Sequence, residues 1–146
     1  MKIAVACDHR GYEAKRRLLP LLKKGGHEIH DFGCESPGAC DYPDFAVPAC
    51  RSITSGANEI GILLDGTGIG MSVAANKVRG VRAALVHDEV TARTAREKNH
   101  CNVLCLGTDL LSEDQIRNIT DIFIDSQWTD GRHTERVRKV MDIEKL

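Results

Sequence analysis

Apolar and polar positions along this chain switch repeatedly between two periods. Five short apolar runs, at residues 2–7, 27–32, 60–64, 82–86 and 102–106, read as strands. Between them, helical spacing recurs near 12–24, 43–55, 68–76, 89–98 and 112–125, and a last helix is expected near 133–144. Strands alternating with helices of this length imply βαβ units and a parallel sheet. Gly25-Gly26 is expected to end the first helix, because glycine tolerates left-handed backbone angles. Pro20 cannot donate to the Arg16 carbonyl, which predicts a kink there. Asp88 is a candidate cap for the fourth helix, and Ser112 with Gln115 forms a capping-box pattern for the fifth. No repeat, linker or low-complexity tract interrupts the pattern, so residues 1–146 read as one domain.

An open parallel sheet binds ligands beyond the carboxyl ends of its strands, where the strand order reverses. That rule selects Cys7-Asp8-His9-Arg10-Gly11 after the first run and Asp65-Gly66-Thr67-Gly68 after the third. It also admits His87-Asp88 and Gly107-Thr108-Asp109.

Composition narrows the partners. Lys and Arg number 20 against 21 Asp and Glu, and the net charge of -1 argues against nucleic acid as the main partner. No apolar run approaches the roughly 20 residues that span a bilayer, so no membrane association is expected. The chain enters a strand almost at once, and no signal peptide is expected. Six cysteines show neither a CxxC pair nor zinc-ligand spacing, and Cys7 and Cys105 fall in strand-like runs as small hydrophobes. The expectation is a cytosolic, reduced protein without metal.

The most informative stretch is Asp65-Gly66-Thr67-Gly68-Ile69-Gly70-Met71, followed by Ala74-Ala75-Asn76-Lys77. A carboxylate ends an apolar strand, and a glycine-rich turn then offers backbone N–H groups to an anion or oxyanion. The glycine spacing is not the dinucleotide fingerprint, since Met71 stands where its third glycine would be, and no Gly-Lys-Ser/Thr follows as in a phosphate-binding P-loop. A tight structural turn is the bland alternative, but an aspartate closing an apolar strand needs solvent or a polar partner. Asp8-His9 pairs a carboxylate with a group that titrates near neutrality, unless Asp8 merely caps the next helix. Arg132 and Arg136 lie four apart, where like charges cost a helix roughly 0.2–0.5 kcal/mol unless an anion reverses the sign. Salt bridges to acidic residues are the alternative for them, and His133 is a possible third donor. In Lys98-Asn99-His100-Cys101-Asn102 the asparagines can form a turn, while Lys98 or His100 can serve as a proton donor.

Taken together, Cys7-Asp8-His9-x-Gly11, Asp41-Tyr42-Pro43, Gly66-Thr67-Gly68-x-Gly70, Asn102-Val103-Leu104 and Gly131-Arg132-His133-x-x-Arg136-Val137 resemble the type B ribose-5-phosphate isomerases and the related galactose-6-phosphate isomerase subunits. The resemblance spans nearly the whole chain. It implies a Rossmann-like three-layer α/β/α sandwich with a five-stranded parallel sheet, expected in the order 2-1-3-4-5. It also implies a homodimer or tetramer with active sites at the subunit interface, and cofactor-free interconversion of aldose and ketose phosphates through a cis-enediolate. In this resemblance Asp8 assists ring opening and Tyr42 borders the pocket. Thr67 and the backbone of Gly66, Gly68 and Gly70 hold the enediolate. His9, Arg132 and Arg136 bind phosphate, and Asn99 contacts the sugar from the other subunit.

Three departures stand out. Asp65 replaces the cysteine base of many relatives, and Met71 stands where others carry a glutamate base. Lys98 replaces the ring-opening histidine, with His100 two residues later. Asp109 replaces an arginine that often binds phosphate. The expected catalytic set is therefore Asp65 as base, with Thr67, Asp8, Lys98 and His100. A non-catalytic sugar-phosphate-binding paralogue or dimer partner, and an isomerase for a shorter or unphosphorylated sugar, are the competing expectations.

Overall fold

Strand β1 (Lys2–Cys7) sends alternate side chains into two cores: Ile3, Val5 and Cys7 face one, Ala4 and Ala6 the other. The pleat imposes the same period of two on β3 (Ile60–Asp65), where Ile60, Ile62 and Leu64 oppose Leu63, and on β5 (Val103–Gly107), where Leu104 and Leu106 oppose Val103 and Cys105. The computed structural model describes residues 1–146. Its remaining elements are α1 (Tyr12–Lys24), β2 (Glu28–Asp31), α2 (Tyr42–Thr54), α3 (Ile69–Asn76), β4 (Ala83–Leu85), α4 (Glu89–Asn99), α5 (Glu113–Asp125), α6 (Thr134–Asp142) and a closing 3-10 turn at Ile143–Lys145. All four strand pairings are parallel. Helices α1, α4 and α5 cover one face, through residues such as Leu18, Ala92 and Phe123; α2 and α3 cover the other, through Ala49 and Met71. The expected three-layer α/β/α sandwich is present.

The strand order is 2-1-3-5-4, not the expected 2-1-3-4-5. β5 is buried along its whole length and takes an interior position, paired with β3 and β4, whereas β4 has only three half-buried residues and takes the edge. Crossover handedness gives the same answer. A right-handed crossover places its helix on a face set by the direction of travel across the sheet. The connections β2–β3 and β3–β4 run one way and carry α2 and α3 on one face. The connections β1–β2 and β4–β5 run back and carry α1 and α4 on the other. Had β5 followed β4 outward, Ala92 and Ala95 of α4 would have had to face the opposite core.

Local signals fare as expected at most element ends. Asp88 accepts the Thr91 N–H at 2.7 Å and caps α4. Ser112 and Gln115 form both bonds of a capping box at α5. The Gly25-Gly26 pair closes α1, with Gly26 in the left-handed region at φ 86°. α1 continues unbroken through Pro20. No helix is long and apolar enough to cross a membrane, and all six cysteines are free thiols.

Candidate active site

The carboxyl ends of β1 and β3 lie side by side, with the Asp8 N–H bonded to the Leu64 carbonyl at 3.2 Å. Beyond β1 the chain turns sharply. Asp8 is buried, and its Oδ1 accepts the N–H groups of Arg10 (2.8 Å) and Gly11 (3.2 Å), while Oδ2 has no partner within the chain. Asp8 thus holds the turn that leads into α1 but does not cap the helix, whose N-cap is Gly11 without a side-chain bond, and it keeps one oxygen free. Gly11 is required here because a Cβ would run into the Leu64 carbonyl. The Cys40 N–H reaches His9 Nδ1 at 3.4 Å, which leaves Nε2 to carry the proton of the neutral ring.

At the end of β3, the buried Asp65 carboxylate is held at both oxygens. Oδ1 accepts the Gly68 N–H at 2.6 Å and Oδ2 accepts the Met71 N–H at 3.2 Å. Burial pushes this carboxyl above the ordinary carboxylate value. The Met71 and Gly68 amides pull it down, and the charges of Asp8 and Asp109 push it up again. The direction is that of a better base, and each oxygen retains a lone pair beyond the one given to an amide. Met71 contributes its amide, while its side chain is fully buried in the core under α3.

Gly68 turns the loop into α3 at φ 79°. Its N–H is consumed by Asp65, so it shapes the site and is not a free oxyanion donor. The amides of Gly66, Thr67 and Gly70 make no hydrogen bond within the chain. Thr67 is exposed, and its Oγ1 accepts the Ile69 N–H at 3.3 Å. Gly70 separates Asp65 from Tyr42: a Cβ there would lie 3.1 Å from Asp65 Oδ2 and 2.8 Å from Tyr42 Cζ. The turn therefore presents three free donors beside a carboxylate, with a phenol ring at the border.

Lys98, Asn99, His133 and Arg136 lie elsewhere, in a groove of about 610 Å³ between β4, α4 and α6. Arg82 also lines it, and no Asp or Glu does. His133 is lowered by desolvation and then by the neighbouring Arg132, Arg136 and Lys98. Neither Arg132, Arg136 nor Lys98 has a carboxylate partner, so the salt-bridge alternative for the arginines is not realised within the chain. His100 is engaged structurally. It ends α4 in the left-handed region at φ 49°, its ring stacks on Trp128 at 4.8 Å, and its carbonyl accepts Arg82 Nε at 2.7 Å. Burial, then Arg82 and Arg96, lower its imidazole.

The two sets do not meet in one chain. Asp8 and Asp65 stand at the carboxyl edge of the sheet, whereas α4 delivers Lys98 and Asn99 to the amino end of β5. The five residues of β5 alone separate those edges by about 16 Å at the usual rise per strand residue. No hydrogen bond or ion pair joins them.

Asp109 does not stand as a bare negative charge. Arg10 Nη2 and Nε donate to its Oδ2 at 2.5 and 3.1 Å, and this pairing raises the Arg10 guanidinium. Sequence reasoning gave Arg10 no role. The available signal was its place in the turn directly after β1, facing the turn after β5.

Residues 3–140 match the Ribose/Galactose Isomerase family. The chain belongs to this family. Among solved structures, the family fold superposes on the Clostridium thermocellum ribose-5-phosphate isomerase B with a TM-score of 0.97 at 42% identity, covering 99% of this chain and 98% of that one. A Mycoplasma genitalium ribose-5-phosphate isomerase B with bound ribulose-5-phosphate gives a TM-score of 0.95 at 38% identity over 99% and 96% of the two chains. Escherichia coli ribose-5-phosphate isomerase B is 35% identical over 144 residues, 99% of this chain and 97% of its own. The motifs quoted above therefore mark family membership along the full length of the fold.

Proposed function

We propose that this isomerase interconverts an aldose phosphate and a ketose phosphate of the ribose 5-phosphate/ribulose 5-phosphate type, with Asp65 as the base. The observation that carries the reading is the Asp65 carboxylate itself: buried, raised in pKa, and flanked by the free amides of Gly66, Thr67 and Gly70. Asp65 removes the proton from the carbon beside the carbonyl and returns it to the neighbouring carbon. The enediolate oxygens formed between these steps are met by the free N–H groups, which are aimed before charge develops. Asp8, through its free Oδ2, accepts from a sugar hydroxyl and assists ring opening. His9 and Tyr42 border the same space. Lys98 is the proton donor in this reading, because His100 is occupied by Trp128.

The carboxyl-edge half of the site carries Asp8, Asp65 and Asp109 against a single Arg10, and is poorly suited to a phosphate. The groove of Lys98, His133 and Arg136, with Arg132 bonded to His133 beside it, supplies the missing cations, but on the far side of the same chain. A symmetric dimer that docks the groove of one protomer over the carboxyl edge of the other completes the site. Helix α3 leaves Ile69 and Val73 more than half exposed at i and i+4 beside the catalytic turn, an apolar stripe that such a partner would cover. Six free thiols fit a reducing, cytoplasmic setting.

The test is incubation with ribose 5-phosphate in heavy water. Conversion with deuterium entering at the carbon beside the carbonyl supports the reading. Binding without conversion points to a sugar-phosphate-binding protein, and turnover of free pentoses or four-carbon sugar phosphates alone reassigns the substrate.

A further inference from the structure

The two turns that carry the proposed chemistry are far apart in sequence, and both are tied to a third. We infer that Thr108, in the turn after β5, is a positioning residue that holds the Asp65 turn and the Asp8–His9 turn in register, with the Arg10–Asp109 pair as a second tie. The inference rests on Asp65 being the base.

The Thr108 N–H donates to the Asp65 carbonyl at 2.8 Å, and its hydroxyl lies 3.0 Å from the Arg10 carbonyl and 3.2 Å from that of Asp65. Thr108 thus reaches both turns, the Asp65 carbonyl through its N–H and the Arg10 carbonyl through its hydroxyl. The neighbouring Asp109 repeats the pattern. Its N–H donates to the Gly66 carbonyl at 2.9 Å, while its carboxylate takes the Arg10 guanidinium. Close packing leaves little slack, since a Cβ on Gly107 would come within 2.6 Å of the Thr67 carbonyl. Neither Thr108 nor Asp109 hydrogen-bonds to the Asp65 carboxylate, so their action passes through its backbone and through charge.

The charge arm depends on what surrounds Asp65. It is faced by Asp8 from the first turn, Tyr42 from α2, the Gly68 and Met71 amides, Cys105 within β5 and Asp109 from the turn after it, with Arg10 engaged on Asp109. Neutralising Asp109 removes one repelling carboxylate, which favours the ionised form of Asp65.

The experiment compares isomerisation kinetics and pH profiles for Thr108→Val, Thr108→Ser, Asp109→Asn and Asp65→Asn. Thr108→Val keeps the shape and loses the bridging hydroxyl. We expect kcat to fall about tenfold or more with KM nearly unchanged, as misplacement of a reacting group dictates. Thr108→Ser should recover most of that loss. In Asp109→Asn the acid limb of kcat/KM should move to lower pH. A folded Thr108→Val variant with unchanged kcat, or Thr108→Ser no better than Thr108→Val, overturns the inference. Should Thr108→Val fail to fold, the exposed Asp109→Asn decides, and an unmoved acid limb then overturns it. Full turnover in Asp65→Asn sinks the base assignment instead. Full turnover in Thr108→Val beside an inactive Asp65→Asn sinks only the positioning role.

Discussion

Asp65 Oδ1 and the Gly68 amide meet at 2.6 Å, so the residue that shapes the glycine turn is also the one that fixes the carboxylate. The turn and the proposed base form one unit. Substituting either reports on the same geometry in different ways.

Asp65→Asn keeps the size of the side chain and removes the proposed base. Loss of a general base costs typically 10²–10⁴-fold, so kcat should fall by about that factor. Solvent deuterium incorporation at the substrate carbon measures the step directly, and circular dichroism checks that the fold persists. Unchanged exchange would remove Asp65 from the mechanism.

The pH dependence has a defined sign. Burial raises the folded-state pKa of Asp65 above its ordinary 3.8, so activity that needs the carboxylate should fall as pH drops through a value above 3.8. For stability the fold binds this proton more tightly than the unfolded chain does. The contribution is present in full below the unfolded value and is lost as pH rises through the raised folded value. Denaturant titrations of the wild type and Asp65→Asn from acid to neutral pH should differ by that falling slope. A difference that rises with pH would contradict the burial argument.

Gly68→Ala should damage both stability and activity. The position has φ 79°, and a Cβ would strike Leu85 and lie 3.1 Å from the Gly107 N. Strain of this kind costs roughly 1–3 kcal/mol, and relief would require the turn, and Asp65 with it, to move. Urea unfolding alongside steady-state kinetics would register both losses; wild-type values in each would show that the turn is not constrained as described.

Subunit mixing tests the shared site. Asp65→Asn removes the carboxyl-edge half, and Arg136→Ala weakens the cationic half. In a two-fold dimer built from both, one of the two sites of each mixed pair is intact, so refolding an equal mixture should restore about a quarter of wild-type kcat/KM. No recovery after verified subunit exchange would argue that each chain works alone.

Ser112→Ala removes the capping box of α5 without touching the site. The expected cost is about 1 kcal/mol, which lowers Tm by roughly 2–4 °C in a chain of this size, with kcat unchanged. Thermal melts measure it.

Much of this protein was legible along the chain because its signals are local. Alternation of period announced the strands, capping residues announced helix starts, and Asp65 with its glycines announced a carboxylate beside free amides. The strand order was not legible, because it depends on which face each crossover helix buries. A run of five apolar residues at 102–106 and another at 82–86 look alike until Ala92 and Ala95 choose a core. Likewise His100 reads as a candidate acid in sequence and becomes a stacked cap only when Trp128 arrives from a distant segment.

By itself, then, the sequence determined the elements, the family and the chemical character of the turn after β3, since these follow from residues within a few positions of one another. Only the tertiary structure decided that β5 lies inside β4, that Arg10 neutralises Asp109, and that Thr108 ties Asp65 to Arg10. It also separated the candidate cations, leaving His9 beside the proposed base and Lys98 and Arg136 in the groove away from it. Each of these is a relation between segments whose approach is set by packing and crossover handedness, which no local pattern encodes.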